Sequence, residues 1–491
     1  MEVLFLRFTH LGENIFKILS NENLVKCREV THSWNNYLDK QKFLLIRIIK
    51  ATILPFHDIG KSWQMVFSKA PTTTILEIDH AVQRFYQKDS KLIYNRGMTP
   101  SHVAAASGTL SLFKRVERKV QMKNPKDGEG FTPLHIAAQN DNFEVLKYII
   151  DGVEEKCPVD NDGWTPLHSA AKRGHFEICK YLLDFYNDKN PRANNGFTPL
   201  HGAAMNGHLK ICETIIEKGE SKNPMTIKGV TPVHLAAANG QLNVCQYILD
   251  RVEDKSPRNN NGSTPLHVSA MCGHLETFSF IMDIVDDKNP RNNMGLTPIH
   301  FAAFGGHLEI CEYIMEYLND LNQSANDGRT PLHFAAIKGH LHVCKGIMTN
   351  LFWNGMDDIN PRSNEGVTPL HDAARNGHFD TFKYIIDNIE DKNPITNLGR
   401  TLLHAAAFGG NTEVLKYLIS NVENKNPMDN NGYTPLHEAA LNGHLEAFKY
   451  LFNIVEDKNP KSYQLTTPLD IVRDEGHEEI EQFIVQSLQL F

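Results

Sequence analysis

The 491-residue sequence has no long apolar segment and no marked excess of one charge. No apolar run approaches the roughly 20 residues of a membrane-spanning helix, so we expect no membrane insertion. The formal net charge of −8 gives no basic footprint for nucleic acid or for an anionic membrane surface. The first apolar run is short and interrupted by Glu2 and Arg7, which makes it a poor signal peptide. These absences predict a cytoplasmic protein, with the nucleus as the alternative.

The signatures of catalysis and of metal binding are also missing. Eight cysteines occur without a C-x-x-C pair, which indicates neither a zinc site nor a disulfide framework. There is no P-loop, no G-x-G-x-x-G after a strand, no H-E-x-x-H and no G-x-S-x-G. We therefore expect no enzyme, no cofactor and no metal site. An enzyme would need an unrecognised site before residue 97.

What the sequence contains instead is a repeat. The quartet Thr-Pro-Leu-His, or a close variant, occurs twelve times at steps of 33 residues, with one step of 38 residues after Thr330. A fixed period of this length is typical of stacked structural units. The twelve copies begin at Thr99, Thr132, Thr165, Thr198, Thr231, Thr264, Thr297, Thr330, Thr368, Thr401, Thr434 and Thr467.

Each copy predicts two short helices and a hairpin. Thr is a good N-cap and Pro is favoured at the first helical position, so TPLHSAAKRG opens a helix at Thr165 and ends it at Gly174. The next residues, 175–185, carry apolar side chains at helical spacing. A turn follows at Asn195-Gly196. One such unit cannot bury its apolar faces alone, so the copies must stack into a solenoid.

The pattern G-x-T-P-L-H-x-A-A-x-x-G-H resembles that of ankyrin-repeat proteins over residues 97–491. The resemblance implies an all-α solenoid of helix–turn–helix–hairpin units that binds protein partners in a concave groove. It also implies that the histidine of the quartet hydrogen-bonds the N-cap Thr and braces the next repeat. The last copy has Asp470 in the histidine slot and Glu478, Glu479 and Glu481 on its outer helix. We expect it to act as a polar cap.

The repeat accounts for most of the histidines and cysteines. Of 24 histidines, eleven occupy the quartet and eight follow the glycine that ends the first helix. These positions predict structural roles rather than metal ligation. Five cysteines share one slot of the second helix that Phe or Leu fills elsewhere, so we interpret them as small hydrophobic residues. They are Cys179, Cys212, Cys245, Cys311 and Cys344.

The exposed face of the first helix would normally be polar in a soluble repeat, so apolar residues on it are candidates for partner binding. Apolar side chains there predict a partner-binding strip near repeats six to eight. The alternative interpretation is that they are ordinary packing residues. The candidates are Met205, Met271, Phe301, Phe304, Phe334, Ile337 and Phe408.

Two further candidate surfaces come from the hairpins and from the irregular step. Aromatic residues precede the repeat Thr in three consecutive copies, at Phe131, Trp164 and Phe197. They mark either a second strip at the hairpin tips or packing alone. Five extra residues after Ile347 predict a lengthened loop near Phe352 and Trp353, which is either functional or the product of drift.

The N-terminal 96 residues do not repeat. Residues 1–50 resemble an F-box-like motif of two amphipathic helices, carried by Leu11, Ile15, Ile18, Leu24, Val30 and Trp34. Gly12 stands where that motif prefers Pro, and the link between the helices is short. The resemblance implies docking to the linker protein of a cullin ubiquitin ligase. The alternative is a helical cap for the array, the role that we also predict for residues 51–96.

Overall fold

The computed structural model describes residues 98–120, 123–219, 221–318, 323–353 and 359–489. Within these ranges the chain forms 24 helices and no β-strand. The all-α solenoid class predicted from the repeat is therefore confirmed. The predicted N-terminal segments 1–50 and 51–96, with all six F-box-like positions, lie outside the described residues.

Every repeat contributes two helices, which we number in chain order. The first helices are α1 (Pro100–Ser107), α3 (Pro133–Gln139), α5 (Pro166–Arg173), α7 (Pro199–Met205), α9 (Pro232–Ala238), α11 (Pro265–Cys272), α13 (Pro298–Gly305), α15 (Pro331–Lys338), α17 (Pro369–Asn376), α19 (Leu402–Phe408), α21 (Pro435–Leu441) and α23 (Pro468–Glu475). The second helices are α2 (Leu110–Val120), α4 (Phe143–Asp151), α6 (Phe176–Phe185), α8 (Leu209–Lys218), α10 (Leu242–Leu249), α12 (Leu275–Ile284), α14 (Leu308–Leu318), α16 (Leu341–Trp353), α18 (Phe379–Asn388), α20 (Thr412–Asn421), α22 (Leu445–Ile454) and α24 (Glu478–Gln489).

The helix boundaries follow the local chemistry of the repeat. Thr297, for example, has extended backbone angles and caps α13, with Pro298 in the first turn. The first helix then ends at a residue with left-handed backbone angles, as at Gly174 with φ of 86°. In the second repeat Asp141 takes that place with φ of 60°. Asp is among the few residues that tolerate this region, so the substitution for Gly preserves the turn.

The hairpins are turns held by backbone and side-chain hydrogen bonds. In the hairpin after α12, the N–H of Asn292 donates to the carbonyl of Leu296 at 2.9 Å. The side chain of Asn292 accepts from the N–H groups of Met294 and Leu296. Adjacent hairpins are joined by one further bond, from the N–H of Asn326 to the carbonyl of Met294 at 3.0 Å. Neighbouring repeats thus share backbone hydrogen bonds as well as apolar contacts.

The chain divides into two compact units. The first comprises the residues up to Ala170 together with Glu177–Tyr186, and so holds the helices of the first repeats. Its core is apolar and fully buried, with the ring of Phe113 edge-on to Tyr148 at 6.2 Å between centroids. Its α1 packs on α2 and α3, so each helix contacts its own repeat and the next one.

The second unit comprises Ala171–Phe176 and the residues from Asn187 onward. Its first helices pack side by side from α7 to α23, and each contacts the second helix of its own repeat. Three large rings, Phe278, Phe382 and Phe448, are fully buried among the second helices. They stand in the slot that cysteine occupies in other repeats.

The last repeat has the polar outer helix that was predicted. Glu478 and Glu479 are exposed in the first turn of α24. Asp470 replaces the histidine of the quartet, and its carboxylate accepts from the N–H and the hydroxyl of Thr467 at 2.9 and 2.7 Å. The cap is therefore retained although the residue has changed.

Candidate partner-binding surface

The histidine of the quartet ties each repeat to the next. Nδ1 of His300 accepts a hydrogen bond from the N–H of Thr297 at 3.1 Å. Because a backbone N–H can only donate, Nε2 carries the hydrogen, and it donates to the carbonyl of Arg329 in the following repeat at 3.2 Å. The same pair of contacts recurs at His102, His135, His201, His234, His267, His333, His404 and His437. Nε2 of His371 has no hydrogen-bond partner.

A second set of histidines, those after the glycine, fixes the end of the preceding first helix. Nε2 of His307 lies 3.0 Å from the carbonyl oxygen of Met271, and Nε2 of His340 lies 3.1 Å from that of Phe304. His378 makes the equivalent contact to Ile337 at 3.0 Å. The backbone of the three strip positions in repeats six to eight is thus held from the next repeat.

Burial keeps the quartet histidines neutral. It lowers the pKa of His300 and of His333 from 6.5 to about 4. A neutral ring with both nitrogens engaged in structure is unsuited to acid–base or metal chemistry. No group of three or more His, Cys, Asp or Glu side chains that could hold a metal ion occurs among the described residues.

The predicted strip on the first helices is a set of half-buried aromatic contacts in α11, α13 and α15. The ring of Phe301 lies edge-on to His267 at 5.0 Å, and that of Phe334 edge-on to His300 at 5.6 Å. Phe304 packs at 6.4 Å on Phe334. We call Met271, Phe301, Phe304, Phe334 and Ile337 the aromatic strip.

None of the five residues of the aromatic strip is fully buried. Met271 is 41% exposed, and the other four are half-buried. The ammonium of Lys338 lies 4.5 Å from the ring centroid of Phe304. The five side chains therefore pack on the array while part of each remains accessible to solvent.

A polar cleft lies on the same helix face in repeats nine and ten. It has a volume of about 120 Å³ and is lined by Asp372, Arg375, Arg400, Ala405 and Phe408, among others. Asp372 is only 3% exposed, and its Oδ2 has no hydrogen-bond partner. Burial raises the pKa of Asp372 to about 7.

The arginines of this cleft have neighbours of their own. The guanidinium carbon of Arg375 lies 3.9 Å from the ring centroid of Phe408. Nη2 of Arg400 lies 2.8 Å from Oε1 of Glu438, and its Nε lies 3.4 Å from Oδ2 of Asp429. Burial also raises the pKa of Glu438.

A family model described as "Ankyrin repeats (3 copies)" matches residues 77–157, 152–226, 221–292, 281–357, 299–396 and 370–462. Together these matches cover well over half of the chain. The chain belongs to the ankyrin-repeat family. Ankyrin repeats are protein–protein interaction modules and are in general not enzymes.

One further comparison and one property of the helices bear on this ankyrin-repeat protein. No curated protein matches the chain. Among the described residues, no helix is both long enough and apolar enough to cross a membrane.

The remaining candidates on the first helices of the ankyrin array are Met205 and Phe408. Both are half-buried, at the C-terminal ends of α7 and α19. Phe408 belongs to the polar cleft rather than to the aromatic strip, because its ring lies beneath Arg375. Met205 is separated from the strip along the chain by repeat five.

The hairpin aromatics pack against the histidine of their own ankyrin repeat. The ring centroids of Phe131 and His135 are 5.4 Å apart, and those of Trp164 and His168 are 5.3 Å apart. Phe197 makes the same contact in repeat four. All three aromatic side chains are half-buried. Packing accounts for these contacts, and a role in partner binding stays a prediction.

The irregular step places Phe352 and Trp353 in a helix and not in the loop predicted for them. Phe352 and Trp353 lie in the last turn of α16, which has 13 residues where most second helices have about ten. No Gly or Pro interrupts residues 347–353, and Leu351 buries its side chain, so the helix continues. Phe352 and Trp353 are 66% and 79% exposed, and residues 354–358 lie outside the described residues.

The cysteine slot is apolar, as predicted. All five cysteines of that slot are buried. Burial raises the pKa of Cys212, Cys245, Cys311 and Cys344 from 9.0 to about 12. Such thiols carry almost no thiolate at neutral pH and are poor nucleophiles or ligands.

Sequence reasoning missed the polar cleft, although the alignment of the copies contains a signal for it. The slot after the quartet histidine is apolar or small in most repeats but holds Asp372 and Glu438 in repeats nine and eleven. The residue before the repeat Thr is Arg at Arg329 and Arg400. In two of the three successive repeats nine to eleven, an acid replaces the usual apolar or small residue. With arginines nearby, this pattern indicates a buried polar site.

Proposed function

We propose that this ankyrin-repeat protein is a non-enzymatic scaffold that holds a protein target against the aromatic strip of repeats six to eight. The observation that carries the proposal is the run of partly exposed Phe, Met and Ile side chains on adjacent first helices. Exposed apolar surface of this kind is typical of protein-binding sites, and aromatic residues dominate their binding energy.

The rigidity of the strip supports this role. The carbonyls of Met271, Phe304 and Ile337 are held by histidines of the next repeat. The rings of Phe301 and Phe334 are held by quartet histidines. Binding to such a surface loses little side-chain entropy, because these groups are already ordered before the target arrives.

The shape of the strip favours an extended or helical segment as its occupant. Its side chains recur once per repeat along neighbouring helices, and a helix or strand presents apolar groups at a similarly regular spacing. The ammonium of Lys338 lies over Phe304, and the five residues of the strip are themselves apolar. We therefore propose an amphipathic segment whose apolar face meets the rings.

Site-specific photo-crosslinking tests the location. A photoreactive phenylalanine analogue replaces Phe304 in the full-length chain. In a second variant it replaces Phe352, which lies in the second helix α16. We expect position 304 to give one discrete crosslinked product. An excess of the unmodified chain should compete for the target and reduce that product. Crosslinks from position 352 alone would move the site to the second helices.

We further propose that the N-terminal segment makes the chain a substrate-recruiting adaptor of a cullin ubiquitin ligase. The support is the sequence pattern of Leu11, Ile15, Val30 and Trp34, which resembles an F-box. An amphipathic helix pair can place one apolar edge in a partner's groove while the other packs on its own domain. The target on the strip would then be presented to catalytic residues on other subunits.

Binding of the full-length chain to the purified cullin linker protein tests this second proposal. Wild type should bind, and Leu11→Ala plus Ile15→Ala should abolish binding with the melting temperature of the array unchanged. If wild type fails to bind and the double change only lowers the melting temperature, the segment is a cap for an ankyrin scaffold of another pathway.

A further inference from the structure

The polar cleft of repeats nine and ten contains a buried carboxylate with an unused hydrogen-bonding atom. Oδ2 of Asp372 has no hydrogen-bond partner, although only 3% of the residue is exposed to solvent. A buried acceptor without a donor costs free energy that a native fold normally avoids. Such an exception calls for a ligand that supplies the donor.

The equivalent position two repeats later shows an acid that has an ion-pair partner, although neither of its carboxylate oxygens makes a hydrogen bond. Glu438 occupies the same slot after the quartet histidine, and Arg400 reaches its Oε1 at 2.8 Å. The counterpart of Arg400 for Asp372 is Arg329, which instead lies 3.9 Å from Asp327. Asp is one methylene shorter than Glu, so its carboxylate stops short of the arginine. The ion pair of repeat eleven is therefore incomplete in repeat nine.

The other cations of the cleft are already engaged. Arg400 is paired with Glu438 and Asp429, and Arg375 lies over the ring of Phe408. The lining of the cleft holds two acids, Glu365 and Asp372, and two arginines, Arg375 and Arg400. Because both arginines have other partners, the carboxylate of Asp372 can receive a further cation.

The size of the cleft limits what can enter. Sites for drug-sized ligands have volumes of roughly 300 Å³ or more, whereas this cleft has about 120 Å³. Repeat ten has the small Ala405 in the slot where other repeats carry larger residues such as Phe334, which leaves this space open. The cleft therefore admits one side chain and not a folded segment.

We propose that the cleft of repeats nine and ten binds a basic side chain, the ammonium or guanidinium group of a Lys or Arg of the protein partner, on the carboxylate of Asp372. The cation donates to Oδ2, and its aliphatic stem fills the space above Ala405 beside Phe408. This inference rests on the proposed scaffold function and deepens it. The aromatic strip anchors the apolar face of the target, and the cleft selects targets that carry a basic residue next to that face.

Titration of the full-length chain with small probes tests the cleft without the partner. The probes are Nα-acetyl-lysine amide and Nα-acetyl-arginine amide, with the uncharged norleucine and citrulline analogues as controls. Ligand-observed NMR should show saturable binding of the two cations at roughly millimolar concentration, as expected for ligands of this size. The uncharged analogues should not saturate.

Two variants and one control substitution locate the binding. Asp372→Asn keeps the shape of the side chain and should weaken binding of the cationic probes at least tenfold. Asp380→Asn makes the same charge change at an exposed position of the next helix and should leave binding unchanged. Ala405→Leu fills the cleft with a residue that the slot holds elsewhere, and it should abolish binding while Asp372 remains.

The outcome separates this inference from the proposed function. Equal affinity for wild type and Asp372→Asn, or equal binding of norleucine and lysine probes, would overturn the cleft as a cation site. Phe304→Glu plus Ile337→Glu alters only the aromatic strip, so this variant should bind the cationic probes like wild type. Loss of target binding in that variant with retained probe binding supports both sites.

Discussion

Arg400 and Glu438 form an ion pair between neighbouring repeats, with Nη2 of Arg400 2.8 Å from Oε1 of Glu438. Glu438 is 1% exposed, and Arg400 also faces the buried Asp429. Removing the arginine leaves two buried carboxylates without their ion-pair partner. The side chain of Arg400 is 36% exposed, so Arg400→Ala should lower the free energy of unfolding by roughly 1–3 kcal/mol, less than the loss typical of a fully buried pair.

A second substitution checks the cause. Arg400→Ala combined with Glu438→Leu removes both charges and places in the slot the residue that Leu235 provides in repeat five. Urea unfolding should show that the double variant regains most of the lost stability. Additive losses would mean that the arginine acts through its packing and not through the pair.

Removing the buried carboxyl of Asp372 should raise the free energy of unfolding by an amount that depends on pH. Its pKa is raised to about 7 by burial, against the opposing effect of Arg329 and Arg375 and with a contribution from Asp327. The folded chain then binds more protons than the unfolded chain between pH 3.8 and 7, so stability falls as pH rises through this range. Asp372→Asn should stabilise the array by up to about 4 kcal/mol at pH 8 and by less than about 2 kcal/mol at pH 5.

Urea unfolding at the two pH values measures the effect of Asp372→Asn. Asp380→Asn, at an exposed position, serves as the control and should show no such difference. A destabilising effect of Asp372→Asn at pH 8 would show that the carboxylate has a stabilising partner in solution.

The quartet histidines predict acid unfolding of the array. Their pKa values in the folded chain are lowered, to about 4 for His267 and His300 among others. Between pH 6.5 and 4 the unfolded chain binds more protons, so stability is full above pH 6.5 and falls below it. Each such histidine contributes a loss of at most about 2 kcal/mol at pH 5.

The pH dependence of the urea midpoint between pH 7.5 and 5 measures this linkage. His300→Gln should be less stable at pH 7.5, because it loses the bond to Arg329, but should show a shallower decline with pH. An unchanged slope would mean that His300 is not among the groups that titrate on unfolding.

Coupling between nearest neighbours predicts the effect of truncation. Helices of the second unit pack on their own repeat and on the next. Removing the residues from Thr401 onward should leave a folded, shorter array with unchanged helicity per residue and a lower urea midpoint. The new end lacks the polar outer helix α24, so self-association should increase. Unfolding of all repeats by this truncation would contradict a linear array.

Charges placed in the aromatic strip should weaken target binding without unfolding. Phe304 and Ile337 are half-buried, so Phe304→Glu plus Ile337→Glu should preserve the helical circular dichroism signal. Loss of apolar hot spots worth roughly 2 kcal/mol or more implies at least thirtyfold weaker binding. Phe352→Glu plus Trp353→Glu is the matched control on exposed rings. Unfolding of the strip variant would show that its residues belong to the core.

The repeat, its helices and its structural histidines can be predicted from the sequence alone. Thr, Pro and Gly act through local backbone preferences, and the quartet histidine bonds a residue only three positions away. The cysteine slot was also readable, since the copies show which residues substitute for one another at one place. The prediction that Phe352 and Trp353 lie in a loop was wrong, because no Gly or Pro ends the helix before them.

The contacts between side chains of different repeats follow only from the stacking of the helices. That Arg400 reaches Glu438 while Arg329 leaves Asp372 unpaired depends on distances between repeats, which one methylene can change. The space above Ala405 exists only because the neighbouring helices are stacked beside it. Ion pairing depends on separations of a few ångströms across the array. The sequence shows an acid and an arginine at matching positions of neighbouring repeats, but it does not give the distance between them.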